Sequence, residues 1–231
     1  MTASTKQGEG VLAIWNDADP QHEAEYHQWY WEQHLPERLG IPGFIEVCRY
    51  RAVDGAPKYF TWYLVGDVGV LGSPAYLERL ANPTEWTRKI MPWFRNMTRC
   101  ACRVSGDVGR GIGSAVALLL LTAVPGRESE LRAQLLREIS PELVGPGRDC
   151  LRAQLWETDR KISDQRTPEQ VLRGGPDRMV DQIVVLHGSS PEQARVGATR
   201  LRALASQVRE AAEAEGPHVY TLLHYLSAPV T

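Results

Sequence analysis

Short apolar runs with strand composition punctuate this chain, and between them hydrophobic residues recur at helical spacing. Gly10 to Asn16 (GVLAIWN) reads as a strand. A helix follows from Pro20, with Asp19 as its N-cap and proline at the first helical position, where a missing N–H costs nothing. Pro36 disfavours helical geometry at Leu35, which predicts a break or kink there, and Gly40 with Pro42 and Gly43 closes the segment. Phe44 to Val53 alternates cleanly, Asp54-Gly55 supplies a turn, and Lys58 to Val68 gives the returning strand of a hairpin. Ser73-Pro74 opens a second helix, which breaks at Asn82-Pro83-Thr84 and restarts through Trp86, Ile90 and Trp93. Met97 to Val104 is a fourth strand, so the order of this half is β-α-β-β-α-β.

The second half repeats that order. Strands are expected at Ser114 to Val124, Cys150 to Thr158, Met179 to His187 and His218 to Ser227, and helices at Arg127 to Val144 and Ser190 to Glu213. A polar stretch containing Gly and Pro, Asp159 to Asp177, separates the second and third of these strands. The repeat is visible in residues too: PERLGIPG (Pro36 to Gly43) before a strand is answered by PELVGPG (Pro141 to Gly147), and Ser73-Pro74 by Ser190-Pro191. The boundaries predicted are a first unit over residues 10–105, a linker over 106–113 and a second unit over 114–228. The Gly-rich linker GDVGRGIG lacks the Lys-Ser/Thr of a phosphate-binding loop and opens no helix.

The chain has 231 residues and a formal net charge of −2, so no electrostatic footprint for nucleic acid is present. The longest apolar run, Ala115 to Ala123, falls far below the roughly 20 residues needed to cross a bilayer. The polar start, MTASTKQGEG, reads as a frayed tail without a secretory signal. Four cysteines with no C-x-x-C pair read as buried thiols of a cytoplasmic protein.

Chemistry concentrates in Asp19 to Gly43, which holds three of the six histidines and two of the seven tryptophans. On a helical period Tyr26, Tyr30 and His34 form one row, and His27, Trp31, His34 and Arg38 the next. Rings that each carry a polar atom suit a cavity wall better than a dry core. The matching helix of the second half, RESELRAQLLREISPE, carries only aliphatic, polar and charged residues, which marks the N-terminal unit as the working half. Strand alternation puts Tyr59, Thr61 and Tyr63 on one face and Phe60 and Trp62 on the other, with Arg49 and Arg51 sharing a face of the preceding strand. His34 is the first candidate for general acid or base, with Tyr30 and His27 beside it. Tyr26, Trp31, Arg49, Tyr59, Trp62 and Trp86 are the candidate walls for a flat phenolic or anionic ligand. Glu23, His27 and His34 reach a common side of the helix but match no metal-binding spacing, so no metal is assigned.

With this tandem order, the chain resembles the dimeric α+β barrel superfamily, in which two ferredoxin-like units set their four-stranded sheets face to face. The resemblance covers residues 10–228, and Tyr30-Trp31-Glu32-Gln33-His34-Leu35-Pro36 is similar to the first-helix signature of EthD-like members. It implies an α+β fold of tandem ferredoxin-like units forming an internal dimeric barrel. Members include cofactor-free oxygenases, isomerases, haem enzymes and stress proteins without a known reaction, so fold alone does not choose. The expectation is a cofactor-independent enzyme acting on a small aromatic or polyketide-like compound by acid/base chemistry. A non-catalytic binder and a haem enzyme using His34, His187 or His224 stand as alternatives. The partner expected is a small molecule, with neither nucleic acid nor membrane, and a homodimer through outer helical faces is left open.

Overall fold

The computed structural model describes residues 9–229 except Pro146 and Asp149. Most of the expected N-terminal tail, and Pro146 of the second PELVGPG segment, lie outside the described residues. The strands are β1 (Gly10–Ala18), β2 (Phe44–Asp54), β3 (Tyr59–Val65), β4 (Phe94–Gly109), β5 (Ala115–Ala123), β6 (Arg152–Thr158), β7 (Gln182–Gly188) and β8 (Ala211–Ser227). The helices are α1 (Glu23–Trp29), α2 (Leu35–Leu39), α3 (Pro74–Ala81), α4 (Glu85–Ile90), α5 (Glu128–Glu138), α6 (Arg160–Ser163), α7 (Pro168–Leu172) and α8 (Pro191–Gln207).

All eight strands pair antiparallel and close a barrel in the order β1-β3-β2-β8-β5-β7-β6-β4. Each half contributes four neighbouring strands in matching order, β4-β1-β3-β2 and β8-β5-β7-β6, and the seams are β2 with β8 and β4 with β6. Strand alternation then sorts the side chains into three cores. Val11, Ala13 and Trp15 of β1 point into the barrel while Leu12 and Ile14 point outward to the helices, and both sets are buried. The interior is filled by rings: Trp15 stacks on Phe60 at 4.7 Å between centroids, and Trp62 meets Trp156 at 6.0 Å. It is a packed core and no channel. Outside the sheet, one core lies under the N-terminal helices and another under α5 and α8. All four cysteines are buried.

Several boundaries differ from the sequence expectation, each for a physical reason. The first helix begins at Glu23, because Asp19 caps a preceding turn through its Oδ1, which accepts the Gln21 N–H at 3.0 Å. β4 runs on through Gly109, so the first part of the segment read as a linker is strand, held by pairing to β6 from Gly106↔Leu155 to Gly109↔Arg152. α5 stops at Glu138, short of Val144, and a single 3-10 turn at Pro141–Leu143 follows. α8 stops at Gln207, and Ala211 to Glu215, expected to continue the helix or link it to a strand at His218, already pair with β5; tertiary pairing overrides the helix preference of Ala and Glu. The polar connection Asp159 to Asp177 carries two short helices, α6 and α7. Among the described residues no helix is long and apolar enough to cross a membrane.

Candidate functional site

The first helical segment does not break at Pro36. Between α1 and α2 the chain makes a π-turn over Tyr30–His34, in which the Leu35 N–H reaches the Tyr30 carbonyl, and all these residues keep right-handed helical dihedrals. The widened turn takes up the disturbance that a proline without an N–H imposes, so the helix passes through. Consequently Tyr30, His34 and Arg38 all face the sheet and line one cavity, while Trp31 turns outward, 52% exposed, against His224.

That cavity has a volume of about 30 Å³ and lies between the outer face of the N-terminal sheet and its helices. Its apolar wall is Leu12, Ile14, Met91, Phe94 and Met97; its polar wall is Tyr30, His34, Arg38, Tyr63, Tyr76, Arg99, Glu169 and Arg173. Glu169 and Arg173 come from α7 and its end, in the second half of the chain. Arg38 Nη2 pairs with Glu169 Oε1 at 2.5 Å, Arg173 Nη2 with Asp177 Oδ2 at 2.7 Å, and Arg99 Nη2 donates to the Tyr76 hydroxyl at 3.1 Å. Three buried guanidinium groups thus face two carboxylates. Four buried polar atoms of this wall have no protein hydrogen-bond partner: His34 Nδ1, Tyr63 Oη, Arg38 Nη1 and Arg173 Nε. Such atoms are served by a water or by a ligand's own oxygen, and the cavity has room for the former. Burial, reinforced by Arg38, Arg49 and Arg173, holds the His34 imidazole well below the usual histidine range, so it is neutral at physiological pH. Burial pushes the Tyr30 and Tyr63 phenols up, which keeps them neutral donors.

A second polar network lies behind Tyr30. Arg49, on β2, is fully buried, and its guanidinium carbon sits 4.1 Å from the Tyr30 ring centroid, 4.6 Å from that of Tyr59 and 5.1 Å from that of Tyr26. Its Nη1 lies 2.9 Å from His27 Nδ1. A guanidinium only donates, so Nδ1 accepts and the imidazole proton resides on Nε2, which donates to the Tyr59 hydroxyl at 2.9 Å. Tyr59 in turn donates to Glu23, which also pairs with Lys58 at 2.5 Å. Burial and then Arg49 lower the His27 pKa to about 4. Nε and Nη2 of Arg49 have no protein partner either.

An anthrone oxidase-like protein matches with TM-score 0.66 and 12% identity, over 99% of this chain and 96% of that one. A putative monooxygenase from Fusobacterium nucleatum matches with TM-score 0.58 and 10% identity over 95% of both chains. The chlorite dismutase of Candidatus Nitrospira defluvii matches with TM-score 0.53 and 12% identity, over 97% of this chain and 93% of that one. All three are dimeric α+β barrels. This chain has their fold. No family model and no curated protein matches the sequence.

Within this barrel the candidate residues separate into three places. Tyr30 and His34 line the cavity; Tyr26, His27, Arg49 and Tyr59 form the network beside it. Trp86 lies at the edge, its indole N–H bonded to Glu25 at 3.2 Å. Trp62, expected as a wall, points into the barrel interior, because alternation along β3 puts it opposite Tyr59 and Tyr63, and it packs against Trp156. Trp31 lies outside the cavity, turned outward onto His224. Glu23, His27 and His34 do not converge, and among the described residues no three His, Cys, Asp or Glu side chains gather as a metal site. Sequence reasoning missed Tyr76, Arg99, Glu169 and Arg173. For Glu169 and Arg173 a signal existed: residues 159–181 connect β6 to β7 where 55–58 suffice between β2 and β3, and such long connections in compact domains are commonly functional.

Proposed function

We propose that the chain is a pair of fused ferredoxin-like units, residues 10–105 and 114–228, and that its N-terminal unit is a cofactor-independent enzyme acting on an acidic phenol or anthrone-type compound. The matching strand orders of the two halves support the first part; the EthD-like affinity rests on Tyr30 to Pro36 alone. The observation that carries the second part is that His34, Tyr63, Arg38 and Arg173, which line one buried cavity, each hold a polar atom without a protein partner. Neutral His34 is the base that removes a proton from the substrate. The resulting enolate or phenolate draws its stabilisation from Arg38, Arg99 and Arg173 and from the Tyr30 and Tyr63 hydroxyls. That anion also offsets the cations that depress His34, so the imidazolium forms more readily with substrate bound than without. The electron-rich anion then reacts with dioxygen: a ring CH₂ becomes C=O, one oxygen atom stays on carbon, and the other leaves as water with the two hydrogens.

The proposal takes no haem. His34 is buried and packed on Trp29, 4.2 Å between ring centroids. His187 lies inside the barrel, bonded to Gln154 at 3.1 Å and to the Gly113 N–H at 3.3 Å. His224 stands beside exposed Trp31.

Oxygen uptake with anthrone as probe tests the reading. Turnover by the wild-type protein, reduced about 10²–10⁴-fold in His34→Gln, is the expected result. Absence of uptake by the wild type, or a His34→Gln variant as active as the wild type, refutes it. Unchanged anthrone affinity in a His34→Gln variant of a protein without turnover would point instead to a passive binder.

A further inference from the structure

The cavity as it stands admits a water-sized occupant and no aromatic ring, while ligand sites for such molecules run to about 300 Å³ and above. What closes it is α7. Glu169 and Arg173 line the cavity, whereas Thr167, Pro168, Val171 and Leu172 line a cleft of about 540 Å³ on the other side, completed by Ala81, Pro83, Arg88 and Arg166. The five-residue helix is therefore the wall between a ligand-sized outer cleft and the buried polar site. It is too short to be stable alone. Its Val171 is 75% exposed, and its inward hold is the Arg38–Glu169 pair together with Leu172 packed on the N-terminal core.

We propose that Glu169 is a removable latch that holds the place of an anionic ligand oxygen: a phenolate or carboxylate on an aromatic ring displaces the Glu169 carboxylate from Arg38, and α7 swings outward to admit the ring. The proposal rests on the acidic-phenol reading of the site given above. Glu169 supplies the only carboxylate among the residues lining the cavity, and it sits against a cluster of Arg38, Arg99 and Arg173. Exchange of one carboxylate for another on Arg38 keeps that buried guanidinium paired throughout, and the released Glu169 is rehydrated. The outer cleft carries Arg88 and Arg166, so an approaching anion meets positive charge before it reaches the latch. Both the inner and the outer faces of α7 thus favour a negatively charged aromatic molecule over a neutral one.

Glu169→Gln keeps a hydrogen-bond acceptor for Arg38 but removes the charge. In ligand-free protein, amide hydrogen exchange over residues 165–173 is expected to speed up about tenfold in this variant, since an ion pair becomes a hydrogen bond to a neutral amide. Titration calorimetry with 2-naphthoate should show an affinity gain of about tenfold over wild type, with the neutral isostere 2-naphthamide unchanged within about twofold. Glu169→Asp, which keeps the charge and shortens the reach, should fall between, and it serves if the glutamine variant does not fold. Unchanged exchange in both variants overturns the latch, whatever naphthoate does. Faster exchange with no naphthoate binding by either protein overturns the assignment of an anionic aromatic ligand, whereas the enzyme reading stands or falls on oxygen uptake with anthrone. Equal gains for naphthoate and naphthamide overturn the anion-for-Glu169 exchange and leave only a looser wall.

Discussion

The two layers of side chains that lie between barrel and helices have the same strand order beneath them and opposite contents. Under α5 and α8 the buried apolar residues are Ala, Leu, Ile, Val and one Cys, among them Leu131, Leu135, Val184 and Leu186, with buried Gln182, bonded to the Glu128 carbonyl, at the edge. Under α1 to α4 the same layer holds Tyr26, Trp29, Tyr30, Tyr59, Tyr63 and Tyr76, and with them the buried His34, Arg38, Arg49 and Arg99. A largely aliphatic layer maximises burial with little left to satisfy. The N-terminal layer instead desolvates several charges and leaves polar atoms without protein partners, a cost that stability alone does not explain. The contrast separates a scaffold from a site within one molecule. The site is nevertheless not confined to its half, since α7 reaches across to close it.

The largest effects should break this comparison into two independent readouts. His34→Gln is expected to lower kcat with anthrone about 10²–10⁴-fold, a barrier change of about 3–5 kcal/mol, with thermal stability close to wild type. Leu131→Ala, at a fully buried position of the aliphatic layer, should do the reverse: about 2–5 kcal/mol lost in denaturant unfolding, with kcat of the remaining folded protein unchanged. A loss of kcat in Leu131→Ala matching that of His34→Gln would show that the C-terminal layer is no mere scaffold.

How much of this was visible beforehand follows from where the signal resides. The order of strands and helices was legible because turn residues and strand runs are local, and the aromatic, histidine-rich first helix stood out because the corresponding helix α5 is aliphatic and charged. Tyr30 and His34 stood out for that reason, and both line the cavity. Trp62 was misplaced although its alternation was read correctly: periodicity assigns a residue to one of two faces but does not say which face meets the helices. The π-turn was invisible, because Pro36 reads locally as a break and only packing against the sheet keeps the helix whole. Glu169 lies 131 positions from Arg38, and no local pattern announces a contact of that span. Only the length of the polar connection hinted at it.

An intermediate effect concerns two histidines kept neutral in different regions. Burial lowers the His187 pKa, inside the barrel, to about 3, and burial with Arg49 lowers that of His27, in the N-terminal network, to about 4. In the unfolded chain both titrate near 6.5, so below that value the unfolded state binds more protons and stability falls as pH falls. For fully buried His187 the slope is about 1.4 kcal/mol per pH unit, continuing toward its folded pKa. Urea unfolding from pH 7 down to 4.5 should show this loss, and His187→Gln, which can still bond Gln154, should remove the His187 share and leave those of His27 and His34. Arg49→Met should raise the His27 pKa, read by NMR of the imidazole protons, because the cation beside Nδ1 is gone. A His27 pKa unmoved by that change would mean that burial alone depresses it.

The smallest effect on stability is the sharpest test of the contrast. Tyr63 is fully buried, its ring packs edge-on to Phe44 at 5.7 Å between centroids, and its hydroxyl faces the cavity without a protein partner. Tyr63→Phe keeps the ring and its packing and removes only a hydroxyl that serves water or ligand. In a layer built for stability a buried hydroxyl is bonded, and its loss costs about 1 kcal/mol or more. Here the change in unfolding free energy should stay within about 0.5 kcal/mol, because no protein acceptor or donor is orphaned. Its turnover of anthrone should nonetheless fall, in kcat more than in KM, since a donor aimed at developing negative charge matters most in the transition state. A variant destabilised by more than about 1 kcal/mol with unchanged kcat would place Tyr63 in the structural layer after all and leave His34 as a base without the donor assigned beside it.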